Sequence, residues 1–217
     1  MMILGLEFSS PRRSVALLRL ESNTAPSVVR SPLNDDPRTP FAFRLIQEAL
    51  SLQKTTQAAI THLALGLGPG SYTGIRAGIS IAQGWEAGKK VKIVGIPSVE
   101  VLAHQAGELG WDEPLTLVFD AQRGEAYAAG YHRVGSAYVE SHPLQRVEIP
   151  ELQARLQRGE RVAGPDLERL LPSATALYPD AGVLAMLAKG RTEFVAGDSL
   201  MPIYLRETQF VKVKPVC

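Results

Sequence analysis

Two carboxylates stand at the ends of apolar strands, Glu7 after Ile3–Leu6 and Asp120 after Leu115–Phe119. Across a cleft, such a pair could perform acid–base chemistry or hold a metal-bound phosphate. A phosphate site of this kind favours glycine in the adjoining hairpin turn, and residues 8–13 contain none. The pattern therefore favours polar strand ends without catalysis over a vestigial nucleotide or phosphate site.

A glycine turn, Gly68-Pro69-Gly70, follows an apolar segment and precedes a helix for which Ser71 is the predicted N-cap. The backbone N–H groups at a helix start favour an anion, and Arg76 could add a positive charge. Arg76 could equally pair with an acid such as Asp120 or Glu125, and we favour the ion pair. The turn has no lysine followed by Ser or Thr, so it is not a P-loop, and the glycine spacing does not fit a dinucleotide fingerprint.

Three glycines at intervals of four, Gly70, Gly74 and Gly78, lie along one side of this predicted helix. Each glycine inside a helix costs about 0.5–1 kcal/mol relative to alanine, so a compensating close contact is expected. We predict a smooth groove that receives a neighbouring helix, and we favour this packing role over phosphate binding.

A second amphipathic helix is predicted over residues 40–53, with Thr39 as N-cap and Pro40 at the first helical position. Apolar residues occur on two of its sides, so each side is expected to be buried against a neighbouring element. The second neighbour is either a helix of the same chain or a partner protein. One side carries Phe41, Leu45, Ala49 and Leu52, and the other carries Phe43, Ile46 and Leu50.

Other kinds of chemistry have little support in the composition. The four histidines lack metal-binding spacing, the single cysteine is Cys217, and no G-x-S-x-G motif occurs. We therefore predict no metal and no cofactor. With 23 basic and 22 acidic residues the chain has no basic excess, so any contact with RNA is expected to be indirect. No signal peptide or membrane span is evident, which predicts a cytoplasmic protein.

The order of predicted elements repeats. Residues 1–110 contain three strands, a helix, a strand and a helix, followed by the strand Lys92–Ile96 and a helix for which Ser98 is the predicted N-cap. Residues 111–217 begin the same order again, which predicts a duplicated α/β fold of two βββαβα lobes with any ligand in the cleft between them. The predicted elements after residue 138 are the strands Val139–Leu144 and Val147–Ile149, the helix Pro150–Arg158, the strand Arg161–Ala163, and the helices Leu167–Leu171 and Ala181–Lys189.

Several motifs together resemble one known family. The chain is similar to the bacterial tRNA threonylcarbamoyladenosine biosynthesis protein family TsaB, also called YeaZ. The motifs are Gly66-x-Gly68-Pro69-Gly70-Ser71-Tyr72-Thr73-Gly74-Ile75-Arg76-x-Gly78, Asp120-Ala121-x-Arg123-Gly124-Glu125-x-Tyr127 and Pro202-Ile203-Tyr204-Leu205-Arg206.

The resemblance implies an actin-like, Hsp70-like (ASKHA) fold and a non-catalytic scaffold role. Family members support the transferase TsaD, which acts on adenosine 37 of tRNA, together with the ATPase TsaE. The chain is expected to form a homodimer when TsaD is absent and to meet tRNA only through the complex. The alternative is an active ATP-dependent transferase or metallopeptidase of the same superfold.

The resemblance also implies that the two helices 40–53 and 71–87 contact TsaD or a second copy. Glu7 stands where the family usually has Asp, and Phe8 where it has a small or hydroxyl residue, which argues against a working nucleotide site at Glu7, Ser71, Arg76 and Asp120. The expected interface residues are Phe41, Leu45, Ala49, Leu52, Gly70, Gly74, Ala77, Gly78, Ile81 and Trp85.

Overall fold

The computed structural model describes residues 1–21, 24–32, 41–111, 114–135 and 137–205. Within these residues the chain forms two five-stranded sheets and five α-helices. The first sheet contains β1 (Met2–Glu7), β2 (Ser14–Arg19), β3 (Ser27–Arg30), β4 (Ile60–Gly66) and β5 (Lys92–Ile96). The second contains β6 (Leu115–Gln122), β7 (Glu125–Val134), β8 (Ala137–Glu148), β9 (Arg161–Gly164) and β10 (Thr175–Ala176). The helices are α1 (Phe41–Leu52), α2 (Tyr72–Gly88), α3 (Ser98–Glu108), α4 (Ile149–Gln157) and α5 (Ala181–Lys189).

The two sheets have the same topology. Their strand orders are β3-β2-β1-β4-β5 and β8-β7-β6-β9-β10. In each, three antiparallel strands are followed by a helix and then by strands parallel to the first. The predicted duplicated α/β architecture is confirmed.

The helices cover the first sheet on both faces. Because side chains alternate along a strand, β1 directs Leu4 and Leu6 to the core shared with α1 and α2, and Ile3 to the core shared with α5. Helix α3 follows the first sheet in sequence but packs mainly on the second, where Leu102 lies in one core with Phe119. The last helix of each repeat therefore packs on the sheet of the other repeat. The boundary between lobes 1–110 and 111–217 stays a prediction.

Asp180 links the start of α5 to the first sheet through hydrogen bonds. Its Oδ1 accepts a hydrogen bond from the backbone N–H of Gly182 at 2.9 Å, and its Oδ2 accepts one from Nε of Arg30 in β3 at 2.6 Å. The backbone N–H of Ala181 donates to Oγ of Ser14 in β2 at 2.9 Å. The helix N-cap is thus also a link between the two repeats.

Three sequence predictions for the second half were wrong. The segment Val139–Leu144 and Val147 belong to one strand, β8, because both pair with β7 across two bulges, whereas Ile149 begins α4. Leu167–Leu171 is a single hydrogen-bonded turn, which Pro172 ends before a helix can form. The short strand β10 was missed. The predicted caps Thr39 and Pro40 lie outside the described residues.

Candidate functional site

The first candidate group, Glu7, is fully buried at the end of β1. Its Oε1 accepts a hydrogen bond from the backbone N–H of Ser9 at 2.9 Å, and its Oε2 accepts one from Oγ of Ser98 at 2.9 Å. A Cβ on Gly66 would lie 2.0 Å from Oε2, so glycine at that position leaves room for the carboxylate. Glu7 is therefore enclosed between β1, β4 and the start of α3.

Desolvation by burial raises the pKa of Glu7 above its ordinary value, and the hydrogen bonds from Ser9 and Ser98 oppose this shift. The negative charge of Asp180 raises the pKa of Glu7 further. Ser98 was predicted as the N-cap of α3, but Pro97 occupies that position. The Ser98 hydroxyl instead donates to Glu7 and accepts from the backbone N–H of Gly68 at 3.1 Å.

The chain's own residues 8 and 9 contact the start of α2. Ser71 caps the helix as predicted, because its Oγ accepts from the N–H of Gly74 at 3.2 Å. The N–H of Ser71 donates to the carbonyl oxygen of Ser9 at 2.7 Å. A Cβ on Gly70 would lie 2.0 Å from that oxygen, and one on Gly74 would lie 2.0 Å from the carbonyl oxygen of Phe8.

Phe8 fills the rest of the glycine groove. A Cβ on Gly78 would lie 3.6 Å from Cδ2 of Phe8, whose ring is fully buried. That ring packs edge-on against Phe41 with 5.0 Å between centroids, and the guanidinium of Arg13 lies 3.9 Å from the Phe41 centroid. The prediction that this groove receives a neighbouring helix was wrong, because residues 8 and 9 of the same chain lie in it.

Arg76 contacts aromatic rings. Its guanidinium lies 4.3 Å from the ring centroid of Tyr72, which stacks on Tyr204 with 5.3 Å between centroids. Burial raises the pKa of Tyr204, and the positive charge of Arg76 acts in the opposite direction. Within the described part of the chain Arg76 forms no ion pair, so the predicted pairing with Asp120 or Glu125 was wrong.

The second candidate carboxylate, Asp120, is exposed at the end of β6. Its Oδ1 accepts a hydrogen bond from the backbone N–H of Gln122 at 2.6 Å. Gln122 and Arg123 both have positive φ values, 62° and 57°, and Asp120 stabilises this tight hairpin turn. One candidate carboxylate is thus enclosed in the protein while the other lies at the surface.

The expected interface residues of α1 differ in exposure. Leu45 and Ala49 are fully buried in the core of the first sheet, and Phe41 is half-buried. Leu52 is exposed to 62% and Phe43 to 71%. Phe43 was assigned to a second buried side of the helix, and the structure instead exposes it.

The expected interface residues of α2 lie on neighbouring parts of one side of the helix and differ in burial. The glycines at positions 74 and 78 are buried, whereas Ala77, Ile81 and Trp85 are half-buried. Gly84 is exposed, and a Cβ added there would meet no atom within 4 Å. The part of α2 that is open to a partner therefore lies beside the glycine groove, because Ala77 and Gly84 are about 60–80° from Gly74 around the helix.

Two contacts of this region could not be found from local sequence signals. Ser98 donates a hydrogen bond to Glu7 although the two are 91 positions apart in the sequence. Tyr204 stacks on Tyr72 although these two are 132 positions apart. Helical or strand periodicity relates only near neighbours in sequence. Tyr72 and Tyr204 both lie in the quoted motifs, which was the available signal for their contact.

The described residues contain no group of three or more His, Cys, Asp or Glu side chains that could hold a metal ion. In the same part of the chain, every helix is too short or too polar to cross a membrane.

Comparison with known proteins gives a consistent result. Residues 42–151 match the model of the TsaD family, described as tRNA N6-adenosine threonylcarbamoyltransferase. The Escherichia coli tRNA threonylcarbamoyladenosine biosynthesis protein TsaB is 33% identical over 192 residues, covering 79% of this chain and 81% of the relative. TsaB of Bacillus subtilis is 26% identical over 161 residues, covering 74% of this chain and 68% of the relative.

Solved structures agree on the fold. YeaZ from Pseudomonas aeruginosa superposes with a TM-score of 0.75 at 21% identity, covering 94% of this chain and 99% of that chain. A second structure, of a protein described by its similarity to the peptidase YeaZ from the same organism, gives the same values. With the duplicated topology these matches identify the actin-like, Hsp70-like fold. The chain belongs to the TsaB family of tRNA threonylcarbamoyladenosine biosynthesis proteins.

Proposed function

We propose that the chain is a non-catalytic subunit that binds the transferase TsaD and supports threonylcarbamoylation of adenosine 37 in tRNA. The relatives are named for the biosynthesis of this modified nucleoside. TsaE is the proposed third component, tRNA meets this chain only through the complex, and the complex works in the cytoplasm.

One observation supports a non-catalytic role most strongly. The two places that could hold a nucleotide phosphate, the carboxylate of Glu7 and the start of α2, are each in contact with the chain's own atoms. Glu7 is buried and accepts two hydrogen bonds, and the carbonyl oxygens of Phe8 and Ser9 lie against the first turns of α2. A phosphate near these two carbonyl oxygens would meet like charge.

The outer sides of α1 and α2 are the proposed contact with TsaD. Both helices cover the same face of the first sheet, so their outer sides face the same side of the molecule. We define the α1–α2 surface as Leu52, Ala77, Ile81 and Gly84. It combines exposed or half-buried apolar side chains with small residues that allow a partner helix to come close. A homodimer formed in the absence of TsaD would use the same surface.

A reconstituted transfer assay tests this role. Purified TsaD and TsaE of the same organism, tRNA and a threonylcarbamoyl donor are incubated with and without this chain, and the modified nucleoside is measured. We expect product only when TsaD and this chain are both present. Product formed by this chain without TsaD would overturn the proposal.

The second candidate function is an active ATP-dependent transferase. The matched family model favours it, because that model is described as a transferase. Calorimetry with ATP and Mg²⁺ separates the two candidates. Micromolar binding with turnover by the isolated chain would favour the transferase, and absence of binding would favour the accessory subunit.

A further inference from the structure

A cavity of about 480 Å³ lies where the two repeats meet, between the first turn of α3 and the strands β7 and β8. Its volume is within the range of roughly 300–1,000 Å³ that small-molecule sites occupy. The apolar part of its wall is formed by Val99, Leu144 and Ile203. The cavity lies between elements of different repeats, as the sequence predicted for a ligand.

A tyrosine hydroxyl group belongs to this cavity. Tyr131 lines it and is only 6% exposed. The described residues offer this hydroxyl no hydrogen-bond partner. Burial raises the pKa of Tyr131, and the negative charges of Glu140 and Glu100, which also line the cavity, raise it further. The phenol is therefore a neutral polar group beside two carboxylates, and its hydroxyl oxygen can accept a hydrogen bond from a ligand in the cavity.

The charge of the cavity wall is negative. Glu100 pairs with Arg191. Glu140 is exposed and forms no ion pair with any described residue. The start of α3 contributes a partial positive charge, which Glu100 in its first turn offsets. One carboxylate thus remains without a counter-charge, which disfavours anionic ligands.

We propose that this cavity binds a small organic cation, a primary ammonium group on an aliphatic stem. The ammonium donates hydrogen bonds to the carboxylate of Glu140 and to the hydroxyl oxygen of Tyr131, and the stem packs against Val99 and Leu144. The ring of Tyr138, also in the wall, offers a further favourable surface for the cation. The site goes beyond the proposed role as an accessory subunit and does not depend on TsaD.

Titration of the ¹⁵N-labelled full chain tests the proposal at constant ionic strength. The probes are n-hexylammonium, the neutral control n-hexanol, and N-acetyl-lysine N-methylamide, which represents a lysine side chain of a partner protein. We expect saturable amide shifts at Val99, Tyr131 and Glu140 with both ammonium probes. The probe that binds more tightly shows whether the cation is a free amine or the lysine side chain of a partner protein. Hexanol binding as tight as hexylammonium, or no saturable shift with either amine, would overturn the proposal.

Three variants locate the site. Glu140→Gln should weaken hexylammonium binding about two- to fivefold, as expected for a partly exposed ion pair. Tyr131→Phe should weaken it about tenfold, because the ammonium loses a charged hydrogen bond while the buried ring is kept. Glu148→Gln, a matched change on the same strand, should leave affinity unchanged, because Glu148 does not line the cavity. Unchanged affinity in both of the first two variants would contradict the site.

Discussion

The carbonyl oxygen of Phe8 lies against the α-carbon of Gly74, so closely that a Cβ on residue 74 would approach it to 2.0 Å. Gly70 and Ser9 have the same relationship one turn earlier. Packing within the chain therefore explains the glycine spacing at the start of α2. The same two contacts join this helix to the segment that follows β1. A partner must therefore contact α2 beside these glycines, where Ala77 and Gly84 lie.

Alanine at two positions of α2 should have opposite effects on stability. Gly74→Ala should lower the free energy of unfolding by about 1–3 kcal/mol, because the new methyl group meets backbone rather than a side chain that can move. Gly84→Ala should raise it by about 0.5–1 kcal/mol, since a Cβ there meets nothing within 4 Å. Urea unfolding measures both. Equal effects at the two positions would contradict the packing described here.

The repeated order of elements was predictable because strand alternation and Gly-Pro turns are local signals. Ser71 as N-cap and Lys92–Ile96 as a strand are confirmed for this reason. The exchange of α3 and α5 between the two sheets was not predictable, since helical periodicity shows that a face is buried and not against which sheet.

The candidate site was predictable only in its residue types. The glycines of the central motif were correctly expected to allow a close approach. The approaching group is residues 8 and 9, and no spacing rule connects these with a helix more than 60 positions later. Phe8 was noted as a departure from the family, but its filling of the groove depends on tertiary packing with Phe41.

The burial of Glu7 predicts a pH dependence of stability. Its pKa in the folded chain is raised above the ordinary 4.5 expected in the unfolded chain. Between these two values the folded state holds a proton that the unfolded state has lost, so the unfolding free energy falls as the pH rises through that window. Glu7→Gln cannot titrate. The stability of the wild type minus that of Glu7→Gln should therefore decrease as pH increases from about 4.5 upwards.

Urea unfolding of both proteins at a series of pH values measures this difference. Glu160→Gln serves as the matched control, because the Glu160 carboxylate is partly exposed and pairs with Arg158 near the surface. A difference that stays constant for Glu7→Gln, or that increases with pH, would contradict the raised pKa.

Asp180 should contribute to stability mainly as a helix cap. Asp180→Ala removes both the cap to Gly182 and the ion pair with Arg30, and should cost about 1–2 kcal/mol of unfolding free energy. Asp180→Asn keeps an oxygen for the cap and loses only the charge, so it should cost less than 1 kcal/mol, roughly the value of a partly exposed ion pair. Thermal unfolding compares the two, and an Asn variant as unstable as the Ala variant would show that the charge matters more than the cap.

The affinity of this chain for TsaD of the same organism tests the account most directly. Isothermal titration should show a complex with the wild type. Ala77→Glu should weaken it at least tenfold, because it places a charge within the otherwise uncharged α1–α2 surface. Met186→Glu on α5, which is 44% exposed on the other face of the first sheet, is the matched control and should bind like the wild type. No complex with the wild type, or equal affinities for wild type and Ala77→Glu, would contradict the proposed role of this surface.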